Sequence, residues 1–403
     1  MIRDRSLVAL LTGEFISSLG SQFTTLALPW FVLVTTGSPS KMGLVFAVEL
    51  APIALLGIPA SSLVERFGPK RWMVSMDALR APVVAAVPLL HAIGGLSFGL
   101  ILTLGALHGA FSVGYFTSQR LILPAVVGED EQRLAQANGV LEGTSNLTNL
   151  AGPALAGVLI AVLGAANVMW IDAGSYLASV VLIGLFVRIR RTVSEETEDA
   201  GGIFAGLRYL RRDRFVARVS LSSLVFGLAF PMLAASFPVL AYQQYHHNPR
   251  VAGFLFAVMG AGQVAGSLLT YRLVTRIKPM RLASFAALAT GPPLWFLVPH
   301  LPLAVVAVVL AVIGASIPLI NAPYLGMLTV RVPPALRGHV LQAVITINQV
   351  LGPIGYVVAG TLFSRIGLHE AYAVMAALGT FATLNFILAA APMWGGTVAE
   401  ETA

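Results

Sequence analysis

The chain is 403 residues long, 57% hydrophobic and only 11% charged, with no cysteine and a formal net charge of +7. Soluble proteins carry about 25% charged residues because water must solvate their surface, so this chain does not face water over most of its area. The missing cysteines exclude disulfides and thiolate metal sites, and the distribution of the positive charge, set out below, argues against a nucleic-acid partner.

In chain order the sequence reads as twelve apolar spans, at about 7–35, 41–64, 72–94, 97–122, 136–162, 166–187, 215–242, 251–275, 281–299, 302–328, 338–364 and 369–392. Each reaches or approaches the roughly 20 residues that cross a bilayer's hydrocarbon core. The first run, from Leu7, lacks a small-residue cleavage site and is followed by many runs like it, so it reads as a membrane helix rather than a signal peptide. With the N-terminus inside, all Lys and Arg except Lys41, Arg250, Arg365 and the intramembrane Arg80 fall in cytoplasmic segments or at their edges. That is the positive-inside bias, and it places both termini in the cytoplasm.

Between the sixth and seventh spans lies the most polar stretch, 188–214, with RIRR, the acidic SEETED and then GGIFAGLRYLRRDR. It reads as a cytoplasmic linker between an N-terminal bundle, 1–187, and a C-terminal bundle, 215–403. Leu207, Tyr209 and Leu210 among the arginines read as a short amphipathic helix on the inner leaflet.

The two bundles echo each other. Gly43–Arg71 and Gly253–Arg281 align without a gap and share ten of 29 positions, among them Phe46-Ala47-Val48 with Phe256-Ala257-Val258, Arg66 with Arg276, Pro69 with Pro279 and Arg71 with Arg281. Val140-Leu141 stands twelve residues before Gly152-Pro153, as Val340-Leu341 stands before Gly352-Pro353. Apolar composition does not place arginines and prolines in register. The expected architecture is an all-α integral membrane protein of two parallel six-helix repeats, with a substrate site between them near the midplane.

Over nearly its whole length the chain resembles the major facilitator superfamily. SSLVERFGPKR at 61–71 is similar to that family's loop signature between helices 2 and 3, through Glu65, Arg66, Gly68, Lys70 and Arg71; Ser61 stands where glycine, and Glu65 where aspartate, is usual. AGPALAG at 151–157 is similar to the helix-5 signature of its drug:proton antiporters, and SSLGSQFTTLALPWFVL with TGSPSKMGLVFA resembles the branch of macrolide and enterobactin exporters. The resemblance implies alternating access, export, and a loop that latches the two halves in the outward-facing state.

An ionisable side chain at the bilayer centre is unfavourable by at least about 2.5 kcal/mol, so each one is a functional candidate. Glu14, Glu49, Asp77, Arg80, His108, Glu142 and Asp172 all fall in the first half; the second offers mainly amides, with Gln263, Asn321, Gln342, Asn348, Gln349 and Asn385. Glu14 leads as the proton-coupling candidate: it lies about 10 Å into its span and shares a helical stripe with Ser18, Ser21, Gln22 and Thr25. The alternative is a carboxylate held by a base such as Arg3 or Arg80. Glu49, matched by Met259 in the repeat, is a candidate for proton or cationic-substrate binding, or a helix cap. His108 suits a proton relay, since imidazole changes charge near neutral pH, or a packing role. Glu142 and Asp172 read as acids placed at helix starts.

Asp77 and Arg80, three apart on one helix face, are expected to pair and to serve a gate with the 65–71 loop. Gly152-Pro153 and Gly352-Pro353 are expected to interrupt long spans, as static kinks or as bends where the halves rock. Gln22, Asn149, Gln263, Asn321, Asn348 and Gln349 are the cavity-lining candidates. Gly262 and Gly266, four apart, read as helix packing.

No phosphate-binding loop, HExxH or GxSxG occurs, so neither ATP hydrolysis nor a hydrolase is indicated, and no cofactor or metal is called for. The reading is a monomeric, multi-pass transporter of a bacterial inner membrane, exchanging protons for amphipathic small molecules of drug, macrolide or siderophore type. An importer or lysophospholipid flippase on the same scaffold is the alternative; a membrane receptor or enzyme lacks the soluble domain or catalytic cluster it needs.

Overall fold

A computed structural model of the chain describes residues 5–128, 131–189, 214–333 and 336–394, together with Arg208. The expected linker at 188–214 and its amphipathic helix therefore lie almost wholly outside the described residues, as does Arg3. Every regular element among the described residues is helical. A chain surrounded by lipid must satisfy its backbone polar groups internally, and the helix does this within a single segment.

The helices are α1 (Arg5–Thr36), α2 (Pro39–Phe67), α3 (Pro69–Ala92), α4 (Phe98–Ser112), α5 (Tyr115–Val127), α6 (Glu131–Leu163) and α7 (Ala165–Val181), the last continued by a π-helical turn, Leu182–Phe186. After the linker come α8 (Arg214–Gln244), α9 (Pro249–Leu273), α10 (Pro279–Leu288), a 3-10 segment (Pro292–Leu297), α11 (Leu303–Arg331), α12 (Arg337–Val350), α13 (Gly352–Arg365) and α14 (Leu368–Ala390). Seven of these, α3, α6, α7, α8, α9, α11 and α14, are individually long and apolar enough to cross a membrane.

The other expected spans are either polar or divided. α1 carries Glu14 and several hydroxyl residues, and α2 carries Lys41, Glu49, Glu65 and Arg66. The fourth span, expected unbroken at 97–122, is α4 and α5 joined at Val113-Gly114, where Gly114 takes a left-handed φ of 79° that a side chain would resist. Trp72 clamps this joint by donating its indole N–H to the Val113 carbonyl at 3.2 Å. The ninth span passes from α10 into the 3-10 segment at the Pro292-Pro293 pair, which has no N–H groups to continue an α-helix. The eleventh divides at Leu351 into α12 and α13, with Pro353 in the first turn of α13. In contrast α6 runs continuously through Pro153, so the two Gly-Pro pairs differ: the first lies within a helix and the second separates two.

Two compact units emerge, one of residues 1–196 with 238–257 and one of 197–237 with 258–403. In the first, α1 packs against α6 and α7, α3 against α7, and α2 against α4; its core joins Leu7 and Leu10 to Met73, Ile122, Leu123 and Ile183. In the second, α10 packs on α11, and Val216, Val219, Ala283, Ala287, Leu328 and Val340 form the core. The outside is apolar: Leu185 is 73% exposed and Val308 64% exposed. Glu14, Asp77, Arg80 and Asp172 are buried. A water-soluble protein has the opposite distribution.

Glycines set the closest helix crossings. A methyl group at Gly109 of α4 would run into the Glu49 carbonyl of α2, and one at Gly314 of α11 into the Met259 carbonyl of α9. Glu49 and Met259 occupy matching positions in the repeated segment, so the same backbone contact recurs in both units. Gly262 and Gly266 likewise rest on the carbonyls of Ala311 and Ala315, which is the packing role expected of them. Overpacking a close contact costs about 1–3 kcal/mol. Gly262→Val and Gly266→Val should each lower the melting temperature of the purified protein, whereas Gly143→Ala, where a methyl group meets nothing within 4 Å, should leave it unchanged or raise it.

Candidate functional site

The buried polar groups of the first unit meet where α1, α3, α5 and α7 converge. On α3, Asp77 is 0% exposed and Arg80 4% exposed, and Arg80 Nη1 lies 3.2 Å from Asp77 Oδ1, as the three-residue spacing predicts. Ser17 of α1 donates its hydroxyl to the other Asp77 oxygen at 3.4 Å. The Arg80 guanidinium sits between two aromatic faces, 4.9 Å from the Tyr115 ring centre and 5.4 Å from that of Tyr176. Ion pair and cation–π contacts together compensate the guanidinium for lost water.

Glu14 is three residues before Ser17 on α1. It is 2% exposed, and among the described residues neither carboxyl oxygen has a hydrogen-bond partner. Arg80 is committed to Asp77, and the charge acting on Glu14 is that of Asp77, an acid. The alternative in which Arg80 holds Glu14 as a permanent ion pair is therefore not what the structure contains. An isolated ionised carboxylate is far too unfavourable in an apolar interior, so this position suits a carboxyl group that carries a proton.

A second polar line crosses the same unit. Glu49 Oε1 of α2 lies 3.3 Å from His108 Nδ1 of α4. His108 Nε2 lies 3.0 Å from the Tyr176 hydroxyl of α7, which lies 2.9 Å from the Ser21 hydroxyl of α1. Gly109 makes this possible, since a methyl group there would strike the Glu49 carbonyl and hold α4 away from α2. Gly20 does the same for α1 and α7, where a methyl group would strike Ser175 and Asp172. Glu49 and His108, separate candidates in the sequence, are thus one pair.

Two acids are placed differently from expectation. α7 starts at Ala165, so Asp172 lies two turns inside it, 0% exposed, accepting a hydrogen bond from Ser175 at 3.1 Å. α6 starts at Glu131, so Glu142 is exposed and three turns into the helix. Neither serves a helix start: α6 begins five residues before the expected span, and Asp172 lies beyond the first turn of an α7 that begins where expected.

At the α2–α3 turn Gly68 has a φ of 84°, and Pro69 opens α3. Lys70 donates to the carbonyls of Gly184 (2.9 Å) and Val187 (2.7 Å), capping the end of the α7 segment within its own unit. Arg66 and Arg71 are exposed, and the Glu65 side chain lies outside the described positions. Gln22 donates to the Asn149 side-chain carbonyl, and Gly152 leaves the room that Gln22 fills, tying α1 to α6. In the second unit Asn321, Asn348 and Gln349 are exposed and Gln263 is half-buried. Its α12–α13 break faces α8, where Gly227 rests on the Asn348 carbonyl and Gly355 on that of Leu228. Tyr115, Tyr176 and Ser17 were not singled out in the sequence. Tyr176 was within reach, because Asp172, Ser175, Tyr176 and Ser179 form a stripe at helical spacing.

The sequence model of the Major Facilitator Superfamily matches residues 10–356. The chain belongs to the Major Facilitator Superfamily. As a member of it, the chain is a multi-pass membrane transporter, not an enzyme. It is 28% identical over 377 residues to the multidrug efflux pump Tap of Mycolicibacterium fortuitum, covering 91% of each chain. It is likewise 28% identical over 375 residues to Tap of Mycobacterium tuberculosis H37Rv, covering 91% of this chain and 89% of the relative. Among solved structures the nucleoside transporter NupG aligns with a TM-score of 0.76 at 12% identity, over 95% of this chain and 98% of that one. A bacterial homologue of the iron transporter ferroportin, in an inward-facing state, aligns with a TM-score of 0.72 at 16% identity, over 96% and 98%. These structural likenesses concern the fold.

Breaking a buried ion pair from one side costs about 3–5 kcal/mol, because the other charge is left uncompensated. Asp77→Asn should therefore strongly lower the melting temperature in detergent. Removing both charges, as Asp77→Asn with Arg80→Gln, should recover much of the loss; no recovery would mean that the pair does not act as a unit.

Proposed function

We propose that this superfamily member is a proton-coupled exporter of amphipathic small molecules, working by alternating access in a bacterial inner membrane. The observation that carries the proton coupling is Glu14: a buried carboxyl group with no hydrogen-bond partner among the described residues, beside an Asp77–Arg80 pair that is already complete. The export direction is supported by the Tap efflux pumps, which align over nearly the full length of the chain. The twelve apolar stretches of the sequence are read as twelve spans in two parallel six-helix repeats, 1–187 and 215–403, joined by the 188–214 linker, with both termini cytoplasmic and the monomer as the working unit.

In this reading Glu14 protonates when its surroundings open outward and releases its proton inward. Proton and substrate each bias the inward–outward equilibrium only by their differential affinity for the two states. The 65–71 loop, with Asp77 and Arg80, supplies charges that hold one state and separate in the other. Gln22, Asn149, Gln263, Asn321, Asn348 and Gln349 line the path as neutral polar groups, and Gly152-Pro153 and Gly352-Pro353 provide its bends.

Inverted vesicles with an acid interior test the reading, with ethidium as the amphipathic probe. Wild-type protein should accumulate ethidium in response to the pH gradient, and Glu14→Gln should abolish that accumulation. A Glu14→Gln protein that still follows the gradient would remove Glu14 from coupling. Wild-type transport indifferent to the gradient would exclude proton antiport, and uphill movement in the opposite sense would favour an importer.

A further inference from the structure

We propose that Glu49, His108, Tyr176 and Ser21 form a proton-conducting chain, with the Tyr176 hydroxyl as its indispensable middle link. The inference rests on the proton-coupled reading above and adds to it a second proton-carrying line, separate from Glu14. Four helices contribute one group each, and the successive separations are 3.3, 3.0 and 2.9 Å.

The hydrogen bonds share one direction. Ser21 donates its proton to the Ser17 carbonyl at 2.9 Å, so towards Tyr176 its oxygen accepts. Tyr176 then donates to Ser21 and accepts from His108 Nε2–H. That leaves His108 Nδ1 turned to Glu49 as the acceptor of a carboxyl proton, or as donor to the carboxylate once the proton has crossed; either way the pair holds one proton between them. A small rotation of either side chain converts their 3.3 Å approach into a hydrogen bond. Imidazole and hydroxyl groups both accept and donate, so every middle member can pass a proton on.

The transfer balances. The Glu49 proton moves to His108 Nδ1, the Nε2 proton to the Tyr176 oxygen, and the Tyr176 proton to Ser21. The Ser21 proton leaves to water, since the Ser17 carbonyl cannot take it. Glu49 ends one proton poorer, one water becomes hydronium, and the imidazole and hydroxyls rotate back for the next passage. The chain ends near an accessible surface: Ser21 is half-buried, and Thr25, one turn on and bonded to the Ser21 carbonyl, is exposed; the polar stripe they share on α1 is the kind of face that water, rather than lipid, covers. Other charged groups face the chain at defined points. Asp172 lies one turn before Tyr176 on α7, and Arg80 of α3, paired with Asp77, stacks on the Tyr176 ring.

Tyr176→Phe keeps the ring face for Arg80 and removes only the hydroxyl, while Ser21→Ala cuts the last link without touching His108 or Glu49. Time-resolved infrared spectroscopy after a pH jump on the purified protein reads the Glu49 carboxyl band, assigned by its loss in Glu49→Gln. A positioned proton carrier is worth about 100-fold or more in rate, so both variants should reach the wild-type end point about 100-fold more slowly while each still melts in one cooperative transition well above the assay temperature. A Glu49 band that responds as fast in Tyr176→Phe and Ser21→Ala as in wild type overturns the chain, as does a band insensitive to pH. The measurement needs no transported substrate, so it succeeds or fails independently of ethidium accumulation in vesicles.

Discussion

The first unit depends on a guanidinium in a place without water. A guanidinium keeps its charge wherever it is placed, so Arg80 must be compensated: Asp77 lies 3.2 Å away, and the Tyr115 and Tyr176 rings lie 4.9 and 5.4 Å from it. Those partners come from three helices: Asp77 is on α3 itself, Tyr115 opens α5 and Tyr176 is on α7. Satisfying one cation therefore fixes how three helices meet. The joint between α4 and α5 follows from the same demand, since a straight helix would not start afresh at Tyr115 under Arg80.

This requirement sorts the acids into two kinds. Asp77 has its countercharge and a serine hydroxyl on its second oxygen, so in this structure it is a compensated anion. Glu14 has neither among the described residues, although it is as thoroughly buried and only one turn from that serine. A protein selected for stability alone would place an apolar residue there, because an unsatisfied buried polar group costs about 1–3 kcal/mol. A proton-coupled transporter, as proposed above, needs a group whose charge state changes during its cycle, and an acid without a fixed partner suits that task.

Much of this was legible in the sequence, for physical reasons. The apolar runs gave the helices because lipid leaves the backbone no other way to close its hydrogen bonds. The Asp77–Arg80 pair was legible because both partners lie on one helix face. The Glu49–His108 pair was not: its members are on different helices, and only the glycines at 105 and 109, read together with Glu49, hinted that the helices touch there. The start of α6 is not legible because polar residues continue a helix beyond its apolar stretch, which puts Glu142 well inside it; the start of α7 is legible, but Asp172 lies two turns beyond it, past the reach of a helix-end role. Tyr176 escaped notice because a tyrosine among leucines and valines looks like packing until its hydroxyl has partners on two other helices.

The two units also show which features belong to the helix crossing and which to a task. Gly109 rests on the backbone of Glu49, and Gly314 rests on the backbone of Met259 at the matching position of the repeated segment. The crossing needs a glycine on one helix and a carbonyl on the other, and it is indifferent to the side chain that carbonyl bears. Methionine satisfies it with no polar group to compensate. Glutamate satisfies it only with His108 beside it, a residue the second unit does not reproduce, since Val312 and Ile313 precede Gly314 where Leu107 and His108 precede Gly109. The acid and its histidine therefore stand or fall together and can be absent from a unit without loss of the crossing, which makes them an addition to the fold rather than a part of it.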